Sequence, residues 1–313
     1  MHRLLLIDTL PIYLLVSLMT VLDAQPLTPK LNEDWWQIAD NPDLGMLSDP
    51  KQQPVDFGIW QASDGTWQLW SCIRKTKEMG RTRLFHGWEG SDIIAKDWAA
   101  KGIAMRADTT LGEHPGGMQA PYVIKHEGIY KMLYGDWNRI CLATSQDGKQ
   151  FRRQVHDGDP ALFGDPAETN TRDAMVIKYA DQWICYYVAH PQDNGAIYAR
   201  TSPDLLQWST SKRVSYGGIG GKGKLWYAEC PFVVQRGEDF YLFRTVMYGE
   251  NNKTYIYRSK DPFDFGLDDD RFLIGHIPVA APEVFEYDEQ WYIACLLPSL
   301  EGIRLGTMEW VEE

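Results

Sequence analysis

The chain has 313 residues, and its 43 acidic side chains outnumber the 31 basic ones, which gives a formal net charge of −12. This charge disfavours nucleic acid and other anionic polymers as partners, because such polymers bind cationic surfaces. The cysteines are odd in number and widely spaced, which predicts buried thiols and neither a disulfide framework nor a metal site. They are Cys72, Cys141, Cys185, Cys230 and Cys295.

The N-terminal segment 1–24 has the features of a secretory signal peptide. The basic residue Arg3 precedes an apolar stretch that runs to Leu22, and Ala24 provides the small residue of a cleavage site. Asp8 and Pro11 interrupt the stretch, which argues against a membrane span, although a retained N-terminal anchor is an alternative. The sequence therefore predicts a secreted or periplasmic protein with no membrane span in its mature chain.

Residues 25–51 contain proline and aspartate but no clear repeat. We expect them to form a lead-in that packs on the rest of the chain through Trp35 and Trp36. Such a segment is well placed to cover an exposed sheet edge.

From residue 52 onward, one pattern occurs five times. Each copy has a short β-branched or aromatic run, a polar turn such as Ser-Asp-Gly at 63–65, and a second alternating run. A third strand follows, for example at 140–148. Repeats of three or four strands without a long helical period predict an all-β fold, a five-bladed β-propeller that forms one catalytic domain over 52–313.

Three of these repeats carry an acid where the first strand begins. In a propeller this strand is the innermost of its blade, so its start faces the central axis. Asp56, Asp173 and Glu229 are therefore expected to meet at one rim, although they are far apart in sequence. A turn or strand cap is the alternative role for any single one of them.

The motifs around these acids resemble those of the five-bladed propeller glycosidases, the group that contains glycoside hydrolase families 43 and 32. The Arg-Asp-Ala at 172–174 and the Glu-Cys-Pro at 229–231 are similar to the Arg-Asp-Pro and Glu-Cys motifs of family 32. The segment 54–58 lacks the nucleophile motif of that family, so the chain looks more like family 43. That resemblance implies that Asp56 is the base, Asp173 a carboxylate that tunes a pKa, and Glu229 the acid.

Glycosidic cleavage needs these roles on chemical grounds. One carboxylic acid protonates the leaving oxygen, and one carboxylate activates water or attacks the anomeric carbon. We expect Asp173 to keep Glu229 protonated by like-charge repulsion, while Arg172 offsets part of the negative charge. Because the blade-one segment lacks a nucleophile motif, inversion of configuration is predicted.

Further side chains are candidates for binding a sugar through amide or charged groups, or by stacking against an indole ring. These candidates are Gln53, Trp60, Gln119, Trp137, Arg172, Trp226, Arg244 and His276. Most of the other tryptophans are expected in the core. The resemblance to family 43 also implies that His276 lies near the propeller axis, where it would help to hold a calcium ion, although no cofactor is required.

The predicted function is therefore hydrolysis of a terminal glycosidic bond in an oligosaccharide or polysaccharide. The resemblance implies an arabinose- or xylose-type sugar, in furanose form. A phosphorylase similar to the family 130 mannoside phosphorylases is one alternative, with Lys222, Lys224 and Arg244 as its phosphate pocket. A sugar-binding propeller without catalysis is another.

Overall fold

The computed structural model describes residues 26–224 and 226–312, and almost all of its regular structure is β-strand. The predicted signal peptide at 1–24 lies outside these ranges. In the part of the chain described, no helix is both long and apolar enough to cross a membrane.

The first strand, β1 (Leu27–Asp40), precedes five groups of antiparallel strands. Blade one comprises β2 (Gln53–Gln61), β3 (Trp67–Arg74), β4 (Leu84–Gly90) and β5 (Ala99–Met105). Blade two comprises β6 (Gln119–His126), β7 (Ile129–Gly135), β8 (Ile140–Ser145), β9 (Arg152–Arg153) and β10 (Ala161–Phe163). Blade three comprises β11 (Arg172–Tyr179), β12 (Gln182–Ala189), β13 (Ala196–Ser202) and β14 (Lys212–Ser215).

The last two blades follow the same order. Blade four comprises β15 (Glu229–Arg236), β16 (Asp239–Met247), β17 (Lys253–Ser259) and β18 (Leu273–Ile277). Blade five comprises β19 (Glu283–Tyr287), β20 (Gln290–Leu296), β21 (Gly302–Glu312) and β1. Short 3₁₀ helices lie in the connections, at Gly45–Leu47, Thr109–Leu111, Pro191–Asp193, Gly218–Gly220 and Gly249–Asn251. The predicted five-bladed β-propeller is confirmed.

The ring is closed by the N-terminal strand. β1 pairs antiparallel with β21 from Leu27 opposite Glu312 to Asp40 opposite Gly302, so it is the outermost strand of blade five. Much of the segment expected to be a lead-in is thus a strand of a blade. Gly306 permits this pairing, because a Cβ there would lie 2.7 Å from the Trp35 ring.

The core lies between neighbouring blades, where apolar side chains of facing sheets pack together. Trp70 and Trp88 are buried there, as large side chains between propeller blades are expected to be. All the cysteines are free thiols, as predicted, and four of them are buried in strands; the half-buried exception is Cys230. Cys230 lies at the axis and belongs to the site.

Candidate active site

A residue in left-handed conformation lies in the inner strand of each of the first four blades, and in blade five such a residue lies two positions before the inner strand. These residues are Asp56, Ala120, Asp173, Cys230 and Ala281, with φ between +31° and +57°. In the first four blades the pairing register slips at this point, which is the signature of a β-bulge. A bulge re-aims a side chain, and strained backbone of this kind concentrates at functional sites.

The bulges also show that the three acids are not equivalent. Asp56 and Asp173 occupy the bulge position, whereas in blade four that position belongs to Cys230. Glu229 precedes it by one residue and so matches Arg172 of blade three. The expectation of acids at three corresponding positions is therefore correct for two blades and shifted by one residue in the third.

Cys230 joins the acids at the axis. Its amide N–H donates to Asp173 Oδ2 at 3.0 Å, and its thiol donates to Asp56 Oδ1 at 3.1 Å. The hydroxyl of Tyr248 lies 3.2 Å from the same sulfur. Side chains from blades one, three and four are thereby held together by one residue.

The pKa of the Asp173 carboxyl is strongly perturbed. It is 5% exposed, and its Oδ1 has no hydrogen-bond partner among the described residues. Burial, followed by repulsion from Asp56, raises the pKa of Asp173 to about 7, although Arg172 opposes this. Near neutral pH this carboxyl is therefore partly protonated.

Arg172 connects Asp173 to Glu229. It is 5% exposed, donates from Nη2 to Glu229 Oε1, and lies with Nε 3.6 Å from Asp173 Oδ2. His190 Nδ1 lies 3.0 Å from its Nη1, which also donates to the Asn170 carbonyl. Burial disfavours the guanidinium charge, but Glu229 and Asp173 raise the pKa of Arg172 above its ordinary value. The cation thus pairs with two of the acids and offsets part of their negative charge.

A cleft of about 400 Å³ opens above this cluster. It is lined by Val55, Asp56, Arg74, Arg83, Trp137, Asn170, Arg172, Trp226, Glu229 and Tyr248. Asp56 also borders a smaller axial cavity of about 40 Å³ that contains Asp173 and Cys230. The structure thus brings the predicted acids together at the axis, with Asp56 and Glu229 facing the cleft and Asp173 beneath them.

Several cleft residues were not predicted from the sequence. Arg74 ends β3, Arg83 immediately precedes β4, and Tyr248 follows β16. In an antiparallel blade, the end of the second strand lies on the same rim as the start of the first. Polar residues at the ends of second strands are therefore the sequence pattern that would have predicted Arg74 and Tyr248 as cleft residues.

Two of the predicted tryptophans do lie in the cleft. Trp226 is 49% exposed, as a stacking platform must be. Trp137 has a φ of +93°, a rare value for a bulky residue, and the Arg81 guanidinium lies 4.3 Å from its ring centroid. The preceding side chain, Asp136, is buried and accepts hydrogen bonds from the backbone N–H groups of Asn138 and Arg139. This turn fixes the indole at the cleft wall.

Other predicted sugar-binding residues do not line the cleft. Trp60 comes four residues beyond the bulge and therefore lies in the core, away from the cleft. There it packs between Trp70 and Phe151 and donates to the Gly148 carbonyl. Gln119 is fully buried and contacts Asn170. Gln53 is half-buried and accepts hydrogen bonds from Arg74 and Lys75. The two glutamines therefore position cleft residues.

His276 is far from its expected axial position. It lies on β18, the outermost strand of blade four, where it is exposed and packs edge-on against Tyr255. A fourth strand cannot reach the axis, because three others separate it from the channel. An axial calcium ion held by this histidine is inconsistent with that position.

Arg244 supports a loop and does not face the cleft. It is 1% exposed and donates to the carbonyls of Tyr227, Gly217 and Gly221. Burial lowers the pKa of Arg244. Because Trp226 belongs to this loop, Arg244 positions one wall of the cleft.

Replacing Arg244 by Met is expected to remove the donor to these buried and part-buried carbonyls and to cost about 1–3 kcal/mol of unfolding free energy. Urea unfolding of the variant measures this, with the exposed Arg152→Met as the matched control. A stability equal to that of wild type would contradict the supporting role of Arg244.

No protein-family model and no curated protein matches this sequence. Solved structures do match. A family 43 enzyme of Xanthomonas citri, complexed with xylose, superposes with a TM-score of 0.60 at 13% identity over 87% of this chain and 90% of its own. An exo-1,5-α-L-arabinanase from a bovine ruminal metagenomic library gives 0.57 at 16% identity, over 82% and 92% of the two chains.

A family 32 β-fructofuranosidase of Bombyx mori is also similar, with a TM-score of 0.56 at 18% identity. The match covers 89% of this chain but only 62% of that longer enzyme. At such identities the likeness concerns architecture. The chain thus has the five-bladed propeller fold of the glycoside hydrolases of families 43 and 32.

Proposed function

We propose that this protein is a glycoside hydrolase. The observation that carries the proposal is that Asp56 and Glu229, from blades one and four, line a single cleft above the buried carboxyl of Asp173. Two carboxyl groups facing one sugar-sized cleft are the minimum machinery for glycosidic cleavage. The similar folds named above belong to enzymes of this class.

Glu229 is assigned as the acid and Asp56 as the base. Glu229 Oε1 is occupied by Arg172, but Oε2 has no donor among the described residues and is left to carry a proton. Asp56 Oδ1 accepts from Cys230, and Oδ2 likewise has no donor in the part of the chain described. Glu229 gives its proton to the leaving oxygen as the bond to the anomeric carbon breaks, while water attacks that carbon and loses a proton to Asp56.

Arg172 donates a hydrogen bond to Glu229, so the substrate can act on the acid through this arginine. A sugar hydroxyl that accepts a hydrogen bond from Arg172 would compete with Glu229 for the guanidinium and so release the acid to donate its proton to the leaving oxygen. Asp173, with its raised pKa, would hold a second proton nearby.

We further propose that the reaction inverts the anomeric configuration. Water is the attacking group in the assignment above, and a single displacement by water inverts the carbon. Proton NMR of the first product formed is expected to show the opposite anomer to the substrate before mutarotation. A product of unchanged configuration would make Asp56 a nucleophile instead.

The substrate is proposed to present a terminal sugar. The axial cavity below Asp56 has about 40 Å³, which suits a water molecule but no sugar ring. A glycan chain therefore cannot thread the propeller, which supports exo action as the default. A groove left open by the loops across the propeller face is the alternative that would accept an internal stretch of chain. Digestion of a polysaccharide should release single sugars, whereas an early mixture of longer fragments would contradict this.

For the sugar itself, the resemblance to family 43 supports an arabinose- or xylose-type furanoside. A panel of aryl furanosides and pyranosides, assayed for released phenol, tests the proposed function. Turnover of at least one of them is expected. If sugars bind but none is cleaved, the alternative of a sugar-binding propeller without catalysis would be supported.

Phosphorolysis remains the second candidate because cations line the cleft. The residues of the phosphate pocket predicted from the sequence are not among those that line the cleft. Lys222 pairs with Asp268 at 2.8 Å, Lys224 lies 5.4 Å from the ring centroid of Trp226, and Arg244 is buried under its loop. Arg74 and Arg83 do lie in the cleft. Hydrolysis predicts that added phosphate leaves the rate unchanged, and formation of a sugar 1-phosphate would favour phosphorolysis.

Two expectations from the sequence also stand as proposals. The carboxylate mechanism needs no metal, so EDTA is expected to leave the rate unchanged. Secretion is expected to remove residues 1–24, which N-terminal sequencing of exported protein would test.

A further inference from the structure

One wall of the cleft is unusually rich in positive charge. The register that places Ile73 opposite Leu84 brings Arg74 and Arg83 side by side at the ends of two strands, and both line the cleft. Lys75 follows directly, and Arg81 lies against Trp137. Like charges on adjacent strands destabilise a sheet, so this grouping needs a compensating interaction.

No carboxylate supplies that interaction within the described residues. Arg74 donates from Nε and Nη2 to the Gln53 side-chain oxygen at 3.2 and 3.0 Å, and Lys75 donates to the same oxygen at 3.0 Å. The Arg83 guanidinium lies 5.1 Å from the ring centroid of Trp137. Burial, followed by repulsion from Arg74 and Lys51, lowers the pKa of Lys75.

Arg172 lies at the same cleft but, unlike Arg74 and Arg83, has carboxylate partners. Arg172 faces the same cleft and is matched by Glu229 and Asp173. Among the described residues, Arg74 and Arg83 form no ion pair, and the contacts of their guanidinium groups are with a neutral amide and an aromatic ring, in a chain with a net charge of −12. Their side chains are half-buried, so part of their hydration is lost without a counterion.

Guanidinium groups bind planar or tetrahedral oxyanions through paired hydrogen bonds. Building on the proposed glycosidase function, we propose that the substrate carries an anionic group, a carboxylate or a sulfate or phosphate ester, and that Arg74 and Arg83 bind it. The group belongs to a sugar held next to the scissile bond, since these arginines share one cleft with Asp56 and Glu229.

This inference refines what the net charge suggests. An acidic chain repels an anionic polymer at long range, but a cleft with cationic walls focuses the opposite field over a few ångströms. A short acidic glycoside, or the acidic end of a longer one, comes close enough to be attracted by this local positive field.

The test uses aryl glycosides in matched pairs that differ only in one anionic substituent. Wild type is expected to cleave the anionic member at a kcat/KM roughly 10- to 100-fold above that of the neutral member. Arg74→Gln and Arg83→Gln should each lower kcat/KM for the anionic member several-fold more than for the neutral member, so that most of the preference is lost. Arg152→Gln, an exposed arginine outside the cleft, is the matched control.

A second readout does not depend on turnover. Calorimetric titration of the Glu229→Gln variant with both members should show the same preference, and the double variant with Arg74→Gln should lose it. Equal binding of the two members, or an equal loss for both, would overturn the anionic substrate while leaving the glycosidase intact. Preferential binding of the anionic member by the variant, together with no cleavage of either member by wild type, would support the anionic site and contradict the proposed function.

A third arm separates the two sources of an oxyanion. If free phosphate occupies Arg74 and Arg83, adding it should accelerate cleavage of the neutral member and yield a sugar 1-phosphate. That result would overturn the assignment to a group on the substrate. The expected result is that phosphate leaves the rate of cleavage of the neutral member unchanged and competes weakly with binding of the anionic member.

Discussion

Replacing Asp56 by Asn is expected to lower kcat by roughly 10²- to 10⁴-fold, the usual contribution of a positioned general base. The amide cannot accept a proton from the attacking water. It does keep an oxygen for the Cys230 thiol, and Asn tolerates the left-handed backbone of this bulge. The melting temperature should therefore remain close to that of wild type.

Steady-state kinetics on the best aryl glycoside checks this result. Asp181→Asn, at an exposed turn, is the matched control for the loss of one carboxylate. Activity of the Asp56 variant within a few-fold of wild type would remove Asp56 from the chemistry.

Replacing Asp173 by Asn is expected to stabilise the fold at alkaline pH while impairing catalysis. The pKa of Asp173 is raised to about 7 in the folded chain, against about 3.9 in an unfolded one. The native state therefore binds more protons between about pH 4 and 7, so its stability falls as pH rises through this window. Above that window, Asn avoids a penalty of up to about 4 kcal/mol.

Thermal unfolding at pH 4 and pH 8 measures the difference. The melting temperatures of wild type and the Asp173 variant should lie close together at pH 4 and diverge at pH 8, with the variant higher. Asp181→Asn should track wild type at both values. If the variant is no more stable than wild type at pH 8, ionisation of the buried Asp173 carboxyl does not destabilise the fold.

The propeller was predictable because its signal is local and repeated. Each inner strand has its own alternating run and polar turn, so the five blades can be read without knowing how they meet. The role of β1 was only partly predictable. Its pairing with β21 joins Leu27 to Glu312 across nearly the whole chain, and no repeat marks it.

The site was predictable to the level of the strand but not to that of the single residue. Asp56 and Asp173 lie where the blade starts indicated, because inner strands converge on the axis. The bulges shift Glu229 by one residue relative to them, and left-handed backbone has no signature at an Asp, Ala or Cys. Trp60 was assigned to the cleft from its type alone, although strand geometry carries it into the core.

The rate at which the Glu229→Gln variant cleaves substrates with different leaving groups tests the proposed chemistry most directly. A dinitrophenolate leaves without protonation, whereas an unactivated alcohol needs a proton from the acid. The variant is expected to cleave a dinitrophenyl glycoside within about 10-fold of wild type and to lose roughly 10²- to 10⁴-fold on the glycoside of an unactivated alcohol. Equal losses on both substrates, or none on either, would contradict Glu229 as the acid that protonates the glycosidic oxygen.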